Sequence, residues 1–317
     1  MKRSAWLPMV VSTLLFAAMG VCVKLASSRY SVAEIVGYRG LVGGAAITVV
    51  VALRGGSLKT RLPAAHFWRS LTGVCSLGLW FHAIGQLPLA TAITLNYTSS
   101  VWVALFLIGG AAAAGGARVD PRLVATVLVG FAGVGFVLRP TLGGDQLWSG
   151  LLGLLSGLLA ALAYLQIAAL GRTGEPGYRI VFYFCAGGAL AGALAAPLGG
   201  GLHAHTPGGL ALLLAIGALA TLAQLMLTRA YAVGTVLVNA SLQYLGIGWS
   251  FLFGVLLFDD PVTAAALLGM GLIVAAGLAA TRLSHAADGR AAATAATGPA
   301  DGPSLDLDAP TAQGADR

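Results

Sequence analysis

Apolar stretches of roughly 16 to 25 residues alternate with short polar breaks along the chain, the pattern of helices that cross a hydrocarbon layer about 30 Å thick. They cover residues 5–25, 33–53, 67–87, 90–113, 123–138, 148–169, 180–198, 210–227, 233–258 and 262–280. Pro88, in the short turn 86–89, separates the third from the fourth. The pattern predicts an all-α integral membrane protein of ten transmembrane helices. The polar breaks test that count. With the N-terminus inside, one side collects Lys2, Arg3, Arg54, Lys59, Arg61, Arg69, Arg118, Arg122, Arg172, Arg179, Arg229 and Arg282. The other side receives only Lys24, Arg29 and Arg139. Basic residues favour the cytoplasmic face, so an even count with both termini cytoplasmic is expected, in the inner (plasma) membrane.

Composition agrees. The 317 residues are 58% hydrophobic and 9% charged, with 45 glycines. A soluble domain commonly has about a quarter of its residues charged, so lipid must solvate most of this surface. Glycine and alanine suit membrane helices, which associate through small residues. The net charge of +7 resides mostly in loops at helix ends, which orients the chain and argues against a nucleic-acid partner. Cys22, Cys75 and Cys185 lie far apart inside apolar runs, so neither disulfide nor metal chemistry is expected. No nucleotide-binding GxxxxGK[ST] motif occurs, and no cofactor is implied. The expected partners are a small-molecule substrate and membrane lipid. Gly109-Gly110 and Gly187-Gly188 suit close helix contact, compatible with a homodimer. From residue 283 the composition turns to Ala, Gly, Asp, Pro and Thr without apolar periodicity, which predicts a disordered cytoplasmic tail over 283–317.

The two halves align with each other at an offset of about 144 residues. Ser12 to Ala17 meets Ser156 to Ala161, and Ile35 to Tyr38 meets Ile180 to Tyr183 with a one-residue slip. Ala90-Thr91 meets Gly234-Thr235, and Pro121 answers Pro261. An odd number of helices per half requires the second copy to be inverted. Inverted repeats with a midplane site are a transporter architecture, in which rocking one half against the other gives alternating access.

The stretch Phe16 to Gly20, then Lys24, then Ala33 to Gly40, resembles the first repeat of EamA-domain proteins of the drug/metabolite transporter superfamily. Ala223 to Tyr231, Gln243-Tyr244 and Gly254 to Pro261 resemble the end of the second repeat. The resemblance covers residues 5 to 282. It implies one repeat over 1–140, a second over 147–282, and secondary transport of small metabolites, often export of amino acids or related polar or zwitterionic compounds. Where the family's first repeat usually has Gly-Glu, this chain has Gly116-Ala117, and Asp260 takes the Glu position of the second.

An ionisable group in hydrocarbon costs at least about 2.5–3.5 kcal/mol and asks for a reason. Arg39 lies about 9 Å into the second stretch. With Lys24, Glu34 and Tyr38 it is expected to surround an outer vestibule for anionic or zwitterionic solutes. The competing reading pairs Arg39 with Glu34 or loop carbonyls and lets Lys24 snorkel. His82 could couple protons, although a hydrogen bond to a neighbouring helix is the favoured reading. Asn96 and Tyr97 in the fourth stretch, with Asn239, Gln243 and Tyr244 in the ninth, fall at positions the repeat relates. Their amides and hydroxyls could line a polar pocket together with Gln224, Tyr164 and Gln166, walled by Trp80, Trp102 and Trp249. Interhelical hydrogen bonding is the alternative. Asp259-Asp260 reads as helix-start charge, and Glu175 and Arg179 as loop charges. A membrane enzyme acting on a lipid or prenyl substrate is the alternative function. It would need a denser catalytic constellation than these isolated acids.

Overall fold

In the computed structural model, which describes residues 6–113, 121–138, 146–199, 201–234 and 236–296, all regular structure among the described residues is helical. The helices are α1 (Trp6–Ala26), α2 (Val32–Leu53), α3 (Pro63–Gln86), α4 (Leu89–Tyr97), α5 (Ser99–Ala113), α6 (Pro121–Leu138), α7 (Gln146–Arg172), α8 (Gly177–Ala195), α9 (Pro207–Val233), α10 (Val236–Leu242), α11 (Leu245–Phe258) and α12 (Ala264–Ala296). Among the described residues, seven stretches are long and apolar enough to cross a membrane: Leu7–Ala26, Val32–Leu53, Leu89–Leu107, Gln146–Arg172, Gly177–Ala195, Pro207–Val233 and Val238–Phe258. The other three predicted stretches fall within α3, α6 and α12. The Gly116-Ala117 departure and Arg118, Arg139, Lys2 and Arg3 lie outside the described residues.

Two predicted helices are interrupted where their sequences turn polar. The fourth breaks at Thr98 and the ninth at Gln243-Tyr244. Thr98 Oγ1 donates to the Leu95 carbonyl at 2.7 Å, a local bond that competes with the helical ladder. After the second break, Gly246 and Ile247 donate to carbonyls only three residues back, at 2.8 and 3.0 Å. At the chain's end, α12 continues through Ala296, past residue 283, where the apolar periodicity ends. Its alanines are the strongest helix formers. Residues 297–317 lie outside the described residues.

The most extensive pairings set α2 along α8, α6 along α12, α3 along α7 and α1 along α9. Glycines permit the closest of these. A Cβ at Gly192 of α8 would lie 2.6 Å from the Ala33 carbonyl and 2.6 Å from the Gly37 nitrogen of α2. A Cβ at Gly40 would lie 2.5 Å from the Cys185 carbonyl. Only bare backbone fits there. This contact sets the height of α2 against α8.

Polar ties between the two halves close each end of the bundle. At one end Lys24 Nζ pairs with Asp260 Oδ1 at 2.9 Å, and Asp260 Oδ2 accepts the first backbone N–H of α4, Leu89, at 2.6 Å. Asp260 does sit at a helix start, but that of α4 rather than of the helix that follows it. Lys24 is therefore paired across the bundle with Asp260 rather than snorkelling. At the opposite end, Glu175 Oε1 lies 3.0 Å from His66 Nε2 and 3.2 Å from Arg179 Nη1. Arg179 Nη2 also donates to the Ser57 carbonyl at 2.9 Å, and the His66 ring packs on Tyr183 at 4.5 Å. Glu175 and Arg179 are thus clamp residues, not solvated loop charges. His66 is almost fully buried, more so than the partly buried His82.

Burial alone would raise the Glu175 carboxyl, but hydrogen bonds from His66, Thr60 and Arg179, with the Arg179 charge, hold it below its ordinary value. The stabilisation it gives is full above the unfolded carboxyl pKa of about 4.3 and is lost as pH falls through the lower folded value. The thermal midpoint of the detergent-solubilised protein should therefore fall on acidification below about pH 5 more steeply than that of Glu175→Gln. Parallel curves would contradict the clamp. The α2–α8 contact makes a separate prediction. Gly192→Val should destabilise by about 1–3 kcal/mol, the usual cost of overpacking. Gly248→Ala, with open space around its Cβ, should leave the midpoint unchanged.

Candidate functional site

A cavity in the middle of the bundle takes its walls from both halves of the chain. Phe16 of α1, Arg39 of α2, Asn96 of α4 and the α3 residues Arg69, Gly73, Ser76, Leu77 and Trp80 line one side. Ala160, Ala163 and Tyr164 of α7, Phe184 of α8 and Gln224 of α9 line the other. The cavity holds about 50 Å³, room for a few waters. Phe16 and Trp80 meet edge-on at 6.3 Å and form an apolar wall.

Two arginines dominate it. Arg39 and Arg69 are each 2% exposed. Their Cζ atoms stand 4.7 and 4.1 Å from the centre of the same ring, Phe184. Among the described residues neither has an acidic partner, and Nε and Nη1 of both are buried without a hydrogen-bond partner. The magnitudes are unbalanced. Each charge costs at least about 2.5–3.5 kcal/mol at this depth, while a desolvated cation–π contact returns about 2 kcal/mol. One ring serves two like charges that repel each other. Packing alone does not explain why they are there.

Backbone geometry holds Arg69 in the cavity. Its guanidinium lies over Gly73, where a Cβ would overlap Nη1 and lie 3.0 Å from the Phe184 ring. Arg69, Gly73, Ser76, Leu77 and Trp80 recur at helical spacing and form one face of α3. That stripe was the available sign that Arg69 points inward rather than serving as a loop charge.

Other polar side chains are already engaged. Asn96 Nδ2 donates to Ser156 Oγ at 2.9 Å, and Ser76 Oγ donates to the Ser156 carbonyl at 2.8 Å. Thr72 takes up Gln166 at 2.7 Å. Tyr164 stacks on Tyr231 at 5.1 Å, and Gln243 Nε2 donates to the Tyr231 hydroxyl at 2.7 Å. Trp80 Nε1 and Gln224 Nε2 are buried without partners.

Of the residues singled out in the sequence, Arg39, Trp80, Asn96, Gln224 and Tyr164 meet in this cavity. Gln243 joins it at one remove through Tyr231. Asn239 is tied to the Ala230 carbonyl at 2.6 Å, Tyr244 is buried at the α10–α11 break, and Tyr97 packs on Gly246. Trp102 stacks on Phe106 in α5 at 6.5 Å, and Trp249 lies in α11. His82 contacts Ser149 of α7 at 3.3 Å, the interhelical bond expected of it.

The vestibule grouping is not formed. Glu34 caps its own helix through Ser31, at 2.9 Å, and accepts from the His203 backbone and ring, both at 2.7 Å. Tyr38 contacts His205. Glu34 and Tyr38 line a largely apolar groove between α2 and α8 instead. Lys24 and Glu34 are drawn to the distant partners Asp260 and His203, and a spacing of five turns Glu34 to a different face of α2 from Arg39.

Known proteins place this arrangement. The chain is 31% identical over 286 residues to a pseudopaline exporter of Pseudomonas aeruginosa, covering 88% of this chain and 96% of the exporter. A riboflavin transporter of Rhizobium johnstonii is 30% identical over 222 residues, 70% of this chain and 71% of its own. An uncharacterised transporter of Helicobacter pylori is 24% identical over 280 residues, 85% and 91% of the two chains. A chain of one solved crystal structure superposes with a TM-score of 0.67 over 90% of this chain and 99% of its own, at 22% identity, and shares the fold. No protein-family model matches the chain. At this identity and coverage, the protein belongs to the family of multi-pass membrane transporters that includes the pseudopaline exporter.

Proposed function

We propose that the protein is a secondary transporter of the EamA-like, drug/metabolite transporter type. It exports a small organic metabolite across the inner membrane by alternating access, with both termini cytoplasmic. The observation that carries this reading is the central cavity, whose polar walls come from both halves of the chain. Ten spans in two inverted repeats, 1–140 and 147–282, are supported by the helix pairings. Exchanging α1 with α7, α2 with α8, and α3 with α9 maps the α1–α9 pair onto α7–α3 and returns α2–α8 to itself. Exchanging α6 with α12 does the same for the α6–α12 pair. The breaks at Thr98 and at Gln243-Tyr244 also correspond under this exchange. Discontinuous helices beside a midplane site are a recurring transporter device. The export direction rests on the name of the pseudopaline exporter.

Expression of the protein in cells lacking it should raise at least one organic solute in the medium, read by untargeted mass spectrometry. Purified protein in liposomes should exchange that solute. Pseudopaline and riboflavin, named for two relatives, are the first candidates. An unchanged medium from cells with verified, membrane-inserted protein would contradict the proposal.

A further inference from the structure

On the reading that the central cavity is a cargo site, we infer that its cargo is an organic anion whose carboxylate groups are held by Arg39 and Arg69. The unpaired buried polar atoms of the lining residues point one way. They are Nε and Nη1 of Arg39, Nε and Nη1 of Arg69, Nε1 of Trp80 and Nε2 of Gln224. All are N–H donors. A buried donor without an acceptor is costly, and these six belong to four side chains that line one cavity. The group that completes them must be rich in acceptors and poor in donors.

Charge makes the same selection. Two guanidinium groups flank Phe184, and the described lining includes no carboxylate. A cationic cargo would meet two like charges. A zwitterion could place its carboxylate there but would find no acid for its ammonium group. A cargo with two carboxylates would give each arginine one planar, two-oxygen partner, the geometry that the guanidinium fork matches best. Phe16, Leu77 and Phe184 supply apolar surface for the carbon body between them. Gly73 belongs to the same device, since its missing side chain is the room in which the Arg69 guanidinium lies.

The test uses the full-length protein, purified in detergent and checked for monodispersity. Its thermal midpoint is titrated with succinate, glutamate and citrate, against sodium chloride of equal ionic strength, succinamide, putrescine and glycerol phosphate. Succinate or citrate should stabilise it where succinamide and putrescine do not. Arg39→Gln and Arg69→Gln should each weaken the apparent affinity about tenfold or more, as loss of a charge-assisted pair implies. Arg39→Lys and Arg69→Lys, which keep the charge but lose the fork, should lose less. They serve in place of either Gln variant that does not fold. Gly73→Val keeps both charges, displaces the Arg69 guanidinium, and should weaken binding as well.

Equal stabilisation by the amide or the amine, stronger binding of the phosphate ester, or unchanged affinity in the arginine variants would overturn the inference. The transport reading is tested separately, in liposomes. If carboxylates bind in an arginine-dependent way but no exported or counter-transported solute is found, the anion site stands and transport falls. If a neutral or cationic metabolite is carried undiminished by Arg39→Gln and Arg69→Gln, transport stands and the anion site falls.

Discussion

Two like charges enclosed in a low-dielectric interior, without a counter-charge among the described residues, form the constraint around which this structure is organised. Arg39 and Arg69 stand against one aromatic ring, and that contact cannot offset the cost of burying both. The surrounding architecture keeps them there regardless. The bare backbone of Gly37 and Gly40 on α2 meets Gly192 and Cys185 on α8, which fixes the height of Arg39 against Phe184. The small-residue face of α3, packed along α7, gives Arg69 its place over Gly73. Such an arrangement is expensive for folding and useful for holding an acceptor-rich ligand.

The same architecture confines the cavity from both ends. Lys24, Asp260 and the start of α4 tie the halves together at one end, and His66, Glu175, Arg179 and Ser57 at the other. All but the Glu175–Arg179 pair cross from the first half to the second. Under the alternating access proposed above, one set would break while the other holds. The α2–α8 and α6–α12 pairings, which the proposed repeat maps onto themselves, would stay packed in that proposed motion.

The helical layout was legible because apolar length and punctuation are local properties. Pro88, Pro121 and Pro261 mark breaks close to where helices begin, whereas the interruptions at Thr98 and Gln243-Tyr244 fall inside stretches the pattern reads as continuous. Arg39 was legible as a candidate because it lies well inside an apolar run. Arg69 was not, because it lies near the edge of one, where a basic residue ordinarily orients the chain. The vestibule of Lys24, Glu34 and Arg39 failed for a different reason. Lys24 and Glu34 find their partners at Asp260 and His203, 236 and 169 residues away. Nothing local announces such pairings, while the shared leaflet made the three look like neighbours.

If the arginine pair is retained for cargo rather than for folding, removing both charges should relieve the protein. The most direct measurement is the thermal midpoint of the Arg39→Gln, Arg69→Gln double variant, without any added carboxylate, against the parent. Replacing uncompensated buried charges by neutral groups of similar shape is commonly neutral or stabilising. The midpoint should therefore be unchanged or higher. A fall of several degrees would show that the pair holds the fold together, and would contradict the account.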